Sequence, residues 1–142
     1  MENIFIGSDK TGQKQSFLQA ATFGMLVETE KQAIDREFIR RVDALLEENL
    51  MAGNYAVGEL SLDMAMSPTK FCIEIRKNTG MPPLKYMLAF KMKKAKQYLK
   101  LRLKSITDVA YEVGFSDEKY FRKQFKKYYH QSPTEYIENL KG

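Results

Sequence analysis

The sequence predicts an all-α protein with two helix-turn-helix subdomains, a long connecting helix between them, about seven helices in total, and an N-terminal extension. From residue 35 onward, apolar residues recur every three or four positions, which is the period of a helix with one buried face. The four prolines lie outside these periodic stretches, and no run of alternating β-branched residues indicates a strand. We therefore expect helices throughout.

Start and stop signals divide the chain into segments. The capping serines Ser67 and Ser105 mark helix starts, and Gly80 and Gly114 mark helix ends. The expected segments are an extension that is partly helical (1–34), a domain (35–142), a first helix-turn-helix (about 57–80), a connecting helix (about 83–101) and a second helix-turn-helix (about 106–129). The expected buried stripe of the connecting helix is Leu84, Met87, Leu88, Met92, Ala95 and Leu99.

Charge is distributed unevenly along the chain, whose net charge is +5. Residues 1–50 carry six basic and nine acidic side chains, whereas the remainder carries 17 basic and nine acidic ones. Eight Lys or Arg and no acid lie between Lys85 and Lys104, and a second basic block is Lys119, Arg122, Lys123, Lys126 and Lys127. This asymmetry indicates a polyanionic partner. When only the charge is considered, a lysine face that keeps the protein soluble is an equally good explanation.

Several protein classes are disfavoured by the sequence. The single cysteine, Cys72, cannot form an intramolecular disulfide and fits a reducing cytoplasm. The longest apolar stretch is too short to cross a bilayer, and the first residues lack the features of a signal peptide. The chain contains no glycine-rich phosphate loop, metal-ligand cluster or nucleophile–base pair, and His130 is its only histidine. We expect no enzymatic activity, no cofactor and no metal.

The segment ITDVAYEVGFSDEKYFRKQF, residues 106–125, is typical of a helix-turn-helix. The small Ala110 allows two helices to cross closely, and Gly114 suits a turn with positive φ. Phe115 is expected to be buried where the helices meet, while Tyr120, Phe121 and Phe125 hold the second helix. The opposite face presents Glu118, Lys119, Arg122 and Lys123, which would enter a major groove. On the small-residue and glycine spacing alone, an ordinary helical hairpin is the favoured alternative.

Residues 106–136 resemble the second helix-turn-helix of the AraC/XylS family of transcription regulators. The matching residues are Ile106, Val109, Ala110, Gly114, Phe115, Asp117, Tyr120, Phe121, Lys123, Phe125, Lys126, Lys127, Ser132, Pro133 and Tyr136. His130 stands where the family usually has glycine, and histidine tolerates the left-handed turn that this position requires.

The resemblance continues upstream, over residues 35–140 in all. Ser67, Phe71, Ile75 and Gly80 match the family's first helix-turn-helix, and KMKKAKQYL, residues 91–99, is similar to its connecting helix. DREFIRRVDALLEENL, residues 35–50, resembles the opening helix found in the output domains of hybrid two-component regulators.

The resemblance implies a sequence-specific, double-stranded DNA-binding transcription regulator, with reading helices at about 68–78 and 117–129 in successive major grooves. The implied base-facing residues are Glu118, Lys119, Arg122 and Lys123 in the second reading helix and Thr69, Cys72 and Ile73 in the first. The first set is poor in hydrogen-bonding groups, and Cys72 is expected mainly to fill space at the groove edge. The residues expected to contact the DNA backbone are Lys70, Arg76, Lys77, Ser105, Lys126 and Lys127.

A second interpretation is a protein-interaction module of the same fold that has lost sequence-specific DNA reading. The weak first reading helix favours that module, and the basic second helix opposes it. For the regulator, the expected partners are double-stranded DNA, RNA polymerase or other regulators, and a second copy of the chain through residues 14–30, with no membrane. The expected location is the cytoplasm, associated with the nucleoid.

Overall fold

The computed structural model describes residues 28–141. These residues form seven helices, numbered here in chain order: α1 (Glu30–Glu48), α2 (Val57–Asp63), α3 (Pro68–Thr79), α4 (Pro83–Leu101), α5 (Ile106–Glu112), α6 (Glu118–Tyr129) and α7 (Pro133–Lys141). The described residues include no strand, so the all-α prediction is confirmed. The chain divides into two compact units between Phe38 and Ile39. None of the helices in residues 28–141 combines the length and the hydrophobicity that spanning a bilayer requires.

The N-terminal unit is described from residue 28. The Gln32 N–H donates to Thr29 Oγ1 at 3.1 Å, and the Thr29 N–H donates to Gln32 Oε1 at 2.9 Å. This reciprocal capping box satisfies two backbone donors at the start of α1, so the helix begins at Glu30. The expected self-association segment, residues 14–30, lies outside the described residues except for its last three.

The two helix-turn-helix subdomains share the length and the caps of their second helix. Both α3 and α6 have 12 residues and begin directly after a residue whose side chain caps the helix. This residue is Ser67 before α3 and Asp117 before α6. Both end at a left-handed residue, Gly80 with φ 75° and His130 with φ 63°. The expectation that His130 tolerates this turn is therefore confirmed. Since lengths and caps agree, each position of α3 corresponds to the position of α6 that lies 50 residues later.

The turns of the two subdomains also correspond. The Met66 N–H donates to Ser61 O and the Phe115 N–H donates to Ala110 O, both at 2.9 Å. The left-handed residue of the second turn is Gly114, with φ 92°, whereas the first turn uses Ala65, with φ 59°. A left-handed residue with a Cβ costs roughly 1–2 kcal/mol, so the first turn holds strain that a glycine would remove.

Ala65→Gly is expected to raise the free energy of unfolding by about 0.5–1 kcal/mol, because relief of this strain exceeds the extra entropy of glycine in the unfolded chain. Urea unfolding followed by circular dichroism measures the change. The matched control is Ala44→Gly on the exposed face of α1, which should lower stability by about 1 kcal/mol. If Ala65→Gly destabilises as much as this control, the left-handed conformation of Ala65 is wrong.

A cluster of buried side chains surrounds the second subdomain. Its buried members are Leu50, Met92, Ala95, Leu99, Val109, Ala110, Val113, Phe121, Phe125 and Tyr136. Phe115 is only partly buried, although it packs against this cluster, so it is less buried than the sequence predicted. Leu84 is 71% exposed, so its expected place in the stripe of α4 is also wrong. Leu84 lies in the first turn of α4, where a matching helical period does not ensure that a neighbouring element covers it.

The second turn lies in backbone contact with the segment that follows α1. A Cβ added to Gly114 would lie 2.6 Å from Leu50 O, and one added to Gly53 would lie 3.3 Å from Gly114 O. Lys91 of α4 lies beside this contact, with its ammonium 5.7 Å from the Phe115 ring centroid. Burial lowers the pKa of Lys91, because the charged form loses hydration there. Gly114 is therefore required by close approach as well as by its φ angle.

Candidate nucleic-acid interface

The outer face of α6 is basic. Phe121 and Phe125 are fully buried, and their positions fix the rotation of the helix about its axis. Lys119 and Lys123 are consequently exposed on the opposite face. Lys126 and Lys127 extend this exposed surface by one further turn. Four ammonium groups are thus available to an anionic partner along one helix.

Glu118 and Arg122 differ from these lysines because other helices hold them. Arg122 Nε donates to Glu118 Oε2 at 2.6 Å, and Arg122 Nη1 donates to Thr134 Oγ1 at 3.3 Å. The Thr107 hydroxyl donates to Glu118 Oε1. The hydrogen bonds from Thr107 and then Arg122 hold the pKa of Glu118 below its usual value. Thr107 in α5 and Thr134 in α7 were not among the predicted site residues, because the sequence predicts that α5 and α6 cross but not which side chains of α5 and α7 reach Glu118 and Arg122.

The corresponding face of α3 is less polar. Thr69 and Ile73 are exposed, Ile73 by 58%, and Cys72 is half-buried. Ile73 occupies the position that Lys123 has in α6, and Cys72 occupies that of Arg122. Lys70, Arg76 and Lys77 are exposed around these residues. The structure therefore places cations at the edges of the α3 face and apolar groups at its centre.

Ser105, the remaining predicted backbone contact, caps α5. Its hydroxyl oxygen accepts from the Asp108 N–H at 3.0 Å, and the residue is exposed. The seven-residue α5 begins directly after it.

The lysines of α4 are not one uniform solvated face. Lys94 pairs with Glu47 of α1. The Lys96 ammonium lies 4.5 Å from the Tyr129 ring centroid and 5.4 Å from that of Tyr136, so it bridges α4 to α6 and α7. Lys85, Lys93 and Lys100 are exposed. Part of the basic charge therefore stabilises the fold, and part faces solvent.

A hydrogen bond fixes α1 against α4. The Tyr86 hydroxyl donates to Asp43 Oδ1 at 2.6 Å. Burial, and then this carboxylate, raise the pKa of Tyr86 well above its usual value, so the phenol stays protonated and keeps donating. Among residues 28–141, no group of three or more histidine, cysteine or acidic side chains could hold a metal ion.

Residues 60–139 match a protein-family model described as a helix-turn-helix domain. The chain belongs to the AraC/XylS family. It is a DNA-binding domain of the AraC/XylS transcription regulators, as its resemblance to them predicted. Within this family, the chain is 32% identical over 104 residues to the transcriptional activator PerA of Escherichia coli O127:H6, a match that covers 73% of this chain and 37% of PerA.

Solved structures of domains from other regulators share the fold. The C-terminal domain of the two-component response regulator yesN from Fusobacterium nucleatum is 32% identical, with a TM-score of 0.62 over 68% of this chain and 93% of that one. The DNA-binding domain of AdpA, solved in complex with a target DNA, is 26% identical, with a TM-score of 0.63 over 69% of this chain and 87% of that one. The chain spans less than half the length of the curated relatives compared with it.

Proposed function

We propose that this AraC/XylS domain binds double-stranded DNA sequence-specifically, with α6 reading bases in one major groove and α3 lying in the next. The observation that carries the proposal is the face of α6, where exposed Lys119 and Lys123 flank the oriented Arg122. Lysine and arginine donate to guanine O6 and N7, which are accessible in the major groove. The AdpA domain, of similar fold, was solved on its target DNA, which supports the same partner here.

The length of α4 suits this arrangement. A helix of 19 residues is about 28 Å long at 1.5 Å per residue. Successive major grooves on one side of B-DNA lie roughly 34 Å apart. Since α4 joins the two subdomains, it can hold α3 and α6 near that separation.

The two reading helices have different roles in this proposal. Lys119 and Lys123 contact base edges, whereas Ile73 packs on a thymine methyl group and Thr69 offers one hydroxyl. Cys72 fills space at the groove edge, since its thiol is a weak hydrogen-bonding group. The proposed phosphate contacts are Lys70, Arg76, Lys77, Ser105, Lys126 and Lys127.

The protein-interaction module is the second candidate function. Two exposed apolar side chains of the first subdomain favour it, Leu62 at 76% and Ile73 at 58%. They offer a partner protein an apolar surface that DNA phosphates would not use. Under this alternative, binding to duplex DNA would be weak and unselective.

Further partners and the location follow from the proposed regulation. RNA polymerase or other regulators are the proposed protein partners. The sequence of residues 14–30 contains apolar side chains that need a covering surface, and we propose it as the segment for self-association. Because the proposed partner is chromosomal DNA, we propose that the protein acts in the cytoplasm, at the nucleoid. We propose no catalytic role for it.

Salt titration tests the proposed DNA binding. The logarithm of the affinity for duplex DNA should fall with the logarithm of salt concentration by about 0.9 per neutralised phosphate. Arg76→Ala should flatten this slope by about one phosphate contact and weaken all duplexes alike. Fluorescence anisotropy with labelled duplexes at several salt concentrations measures both effects.

The matched control for this titration is Arg41→Ala, which removes an exposed arginine of α1. Its slope should equal that of the wild-type protein. A wild-type slope near zero would overturn DNA binding, whereas weak and equal affinity for every duplex sequence would favour the interaction module.

A further inference from the structure

We infer that Glu118 does not read a base but is a positioning residue that orients Arg122 toward the DNA. This inference rests on the proposed reading by α6 and replaces the base-facing role that the sequence predicted for Glu118. It assigns the sequence preference carried by Arg122 to a network of three helices rather than to α6 alone.

The carboxylate of Glu118 is engaged by the protein at both oxygens. Oε1 accepts from the Thr107 hydroxyl of α5, and Oε2 accepts from Arg122 Nε at 2.6 Å. A carboxylate that reads cytosine must turn an oxygen to the N4 amine. Each oxygen keeps a second lone pair, but the two contacts fix the orientation of the carboxylate, so turning it toward a cytosine would weaken the bonds to Thr107 and Arg122.

Arg122 is held from two sides. Its Nε contacts Glu118, and its Nη1 donates to Thr134 Oγ1 at 3.3 Å, close to the start of α7. These two contacts leave the hydrogens of Nη2 for an outside acceptor. The side chains of Arg122 and Glu118 are 38% and 31% exposed, so the pair lies at the surface where such an acceptor can approach.

Holding the guanidinium before DNA arrives has an energetic consequence. A free arginine side chain loses rotamer entropy when it binds, and a side chain already fixed by its neighbours loses less. A glutamate carboxylate is already ionised at neutral pH, and the lowered pKa of Glu118 extends its pairing with Arg122 to more acidic conditions. Arg122 therefore meets the groove in one orientation.

The first subdomain has no equivalent of this pair. The position in α3 that corresponds to Glu118 is Pro68, and the one that corresponds to Arg122 is Cys72. Neither a carboxylate nor a guanidinium is present there. Preorganised reading of a base is consequently a property of α6 only.

The test compares base preferences of single and double variants. Preferred duplexes are selected from a random pool with the wild-type protein, and dissociation constants are then measured for the preferred duplex and for duplexes changed at one base pair. Arg122→Ala should lose preference at one base pair. Glu118→Ala should reduce preference at that same base pair by about tenfold, and the double variant should lose no more than Arg122→Ala.

Further variants separate positioning from folding. Glu118→Gln keeps an oxygen acceptor for Arg122 and should retain more preference than Glu118→Ala. Thr134→Val should reduce preference at the same base pair by a smaller factor. Lys119→Ala is the matched control on α6, and its loss should fall at another base pair and add to that of Glu118→Ala. A loss of folding would weaken every duplex equally, without changing these ratios.

Two results would overturn the inference. One is a loss at a different base pair in Glu118→Ala than in Arg122→Ala, and the other is an additive loss in the double variant. Both leave DNA reading by α6 intact. A wild-type protein without any base preference would instead overturn the proposed function and this inference together.

Discussion

Replacing Gly114 by alanine is expected to lower the free energy of unfolding by about 2–5 kcal/mol. Its φ of 92° lies in the left-handed region, which costs a residue with a Cβ roughly 1–2 kcal/mol. The added Cβ would also lie 2.6 Å from Leu50 O, and overpacking of this kind costs roughly 1–3 kcal/mol. Because the obstructing atom belongs to the backbone, no side-chain rotation relieves the clash.

Gly58→Ala is the matched control for this substitution. Gly58 lies within α2 and has no neighbouring atom within 4 Å of an added Cβ. Alanine should therefore stabilise the helix there, by about 0.5–1 kcal/mol. Urea unfolding of both variants under one set of conditions gives the comparison. A Gly114→Ala protein within 1 kcal/mol of wild type would contradict the backbone contact with Leu50.

Phe121→Ala is expected to lower the free energy of unfolding by about 3–5 kcal/mol, the range typical of a fully buried phenylalanine. Phe121 is 0% exposed, and its ring centroid lies 5.3 Å from that of Phe115 and 5.8 Å from that of Phe125. Small domains have a total stability of roughly 5–15 kcal/mol, so this loss is a large share. Thermal unfolding followed by circular dichroism should show a strong drop in Tm.

Phe115→Ala serves as the comparison, since Phe115 is only partly buried. We expect it to cost about 1–3 kcal/mol, less than Phe121→Ala, because less apolar surface returns to water. Equal losses for the two variants would show that the exposure of Phe115 in the structure is wrong.

Local signals in the sequence account for much of the helical framework. Ser67 and Ser105 each cap a helix, as predicted, because the cap is formed by residues three positions apart. Gly114 adopts the positive φ that its place in the turn indicated. The left-handed Ala65 carries no such signal, since alanine favours helices, and only its correspondence with Gly114 identifies it.

Tertiary contacts explain what the sequence did not predict. Glu118 and Arg122 are one turn apart, so their pairing is local, but Thr107 and Thr134 reach them from separate helices. Leu84 follows the buried period of α4, yet it is exposed in the first turn of that helix. Periodicity identifies the face of a helix, whereas the neighbours on that face depend on how the helices are packed.

Under the proposed reading of DNA by α3 and α6, the unequal faces of these helices give the domain a direction along the double helix. Two identical reading helices related by a two-fold axis would fit a site in either sense, because turning the protein end for end would present the same groups. Ile73 and Cys72 stand where α6 has Lys123 and Arg122, so the two senses are energetically distinct. A single domain of this kind faces one way on an asymmetric site, and inverting that site relative to a promoter would turn the protein around.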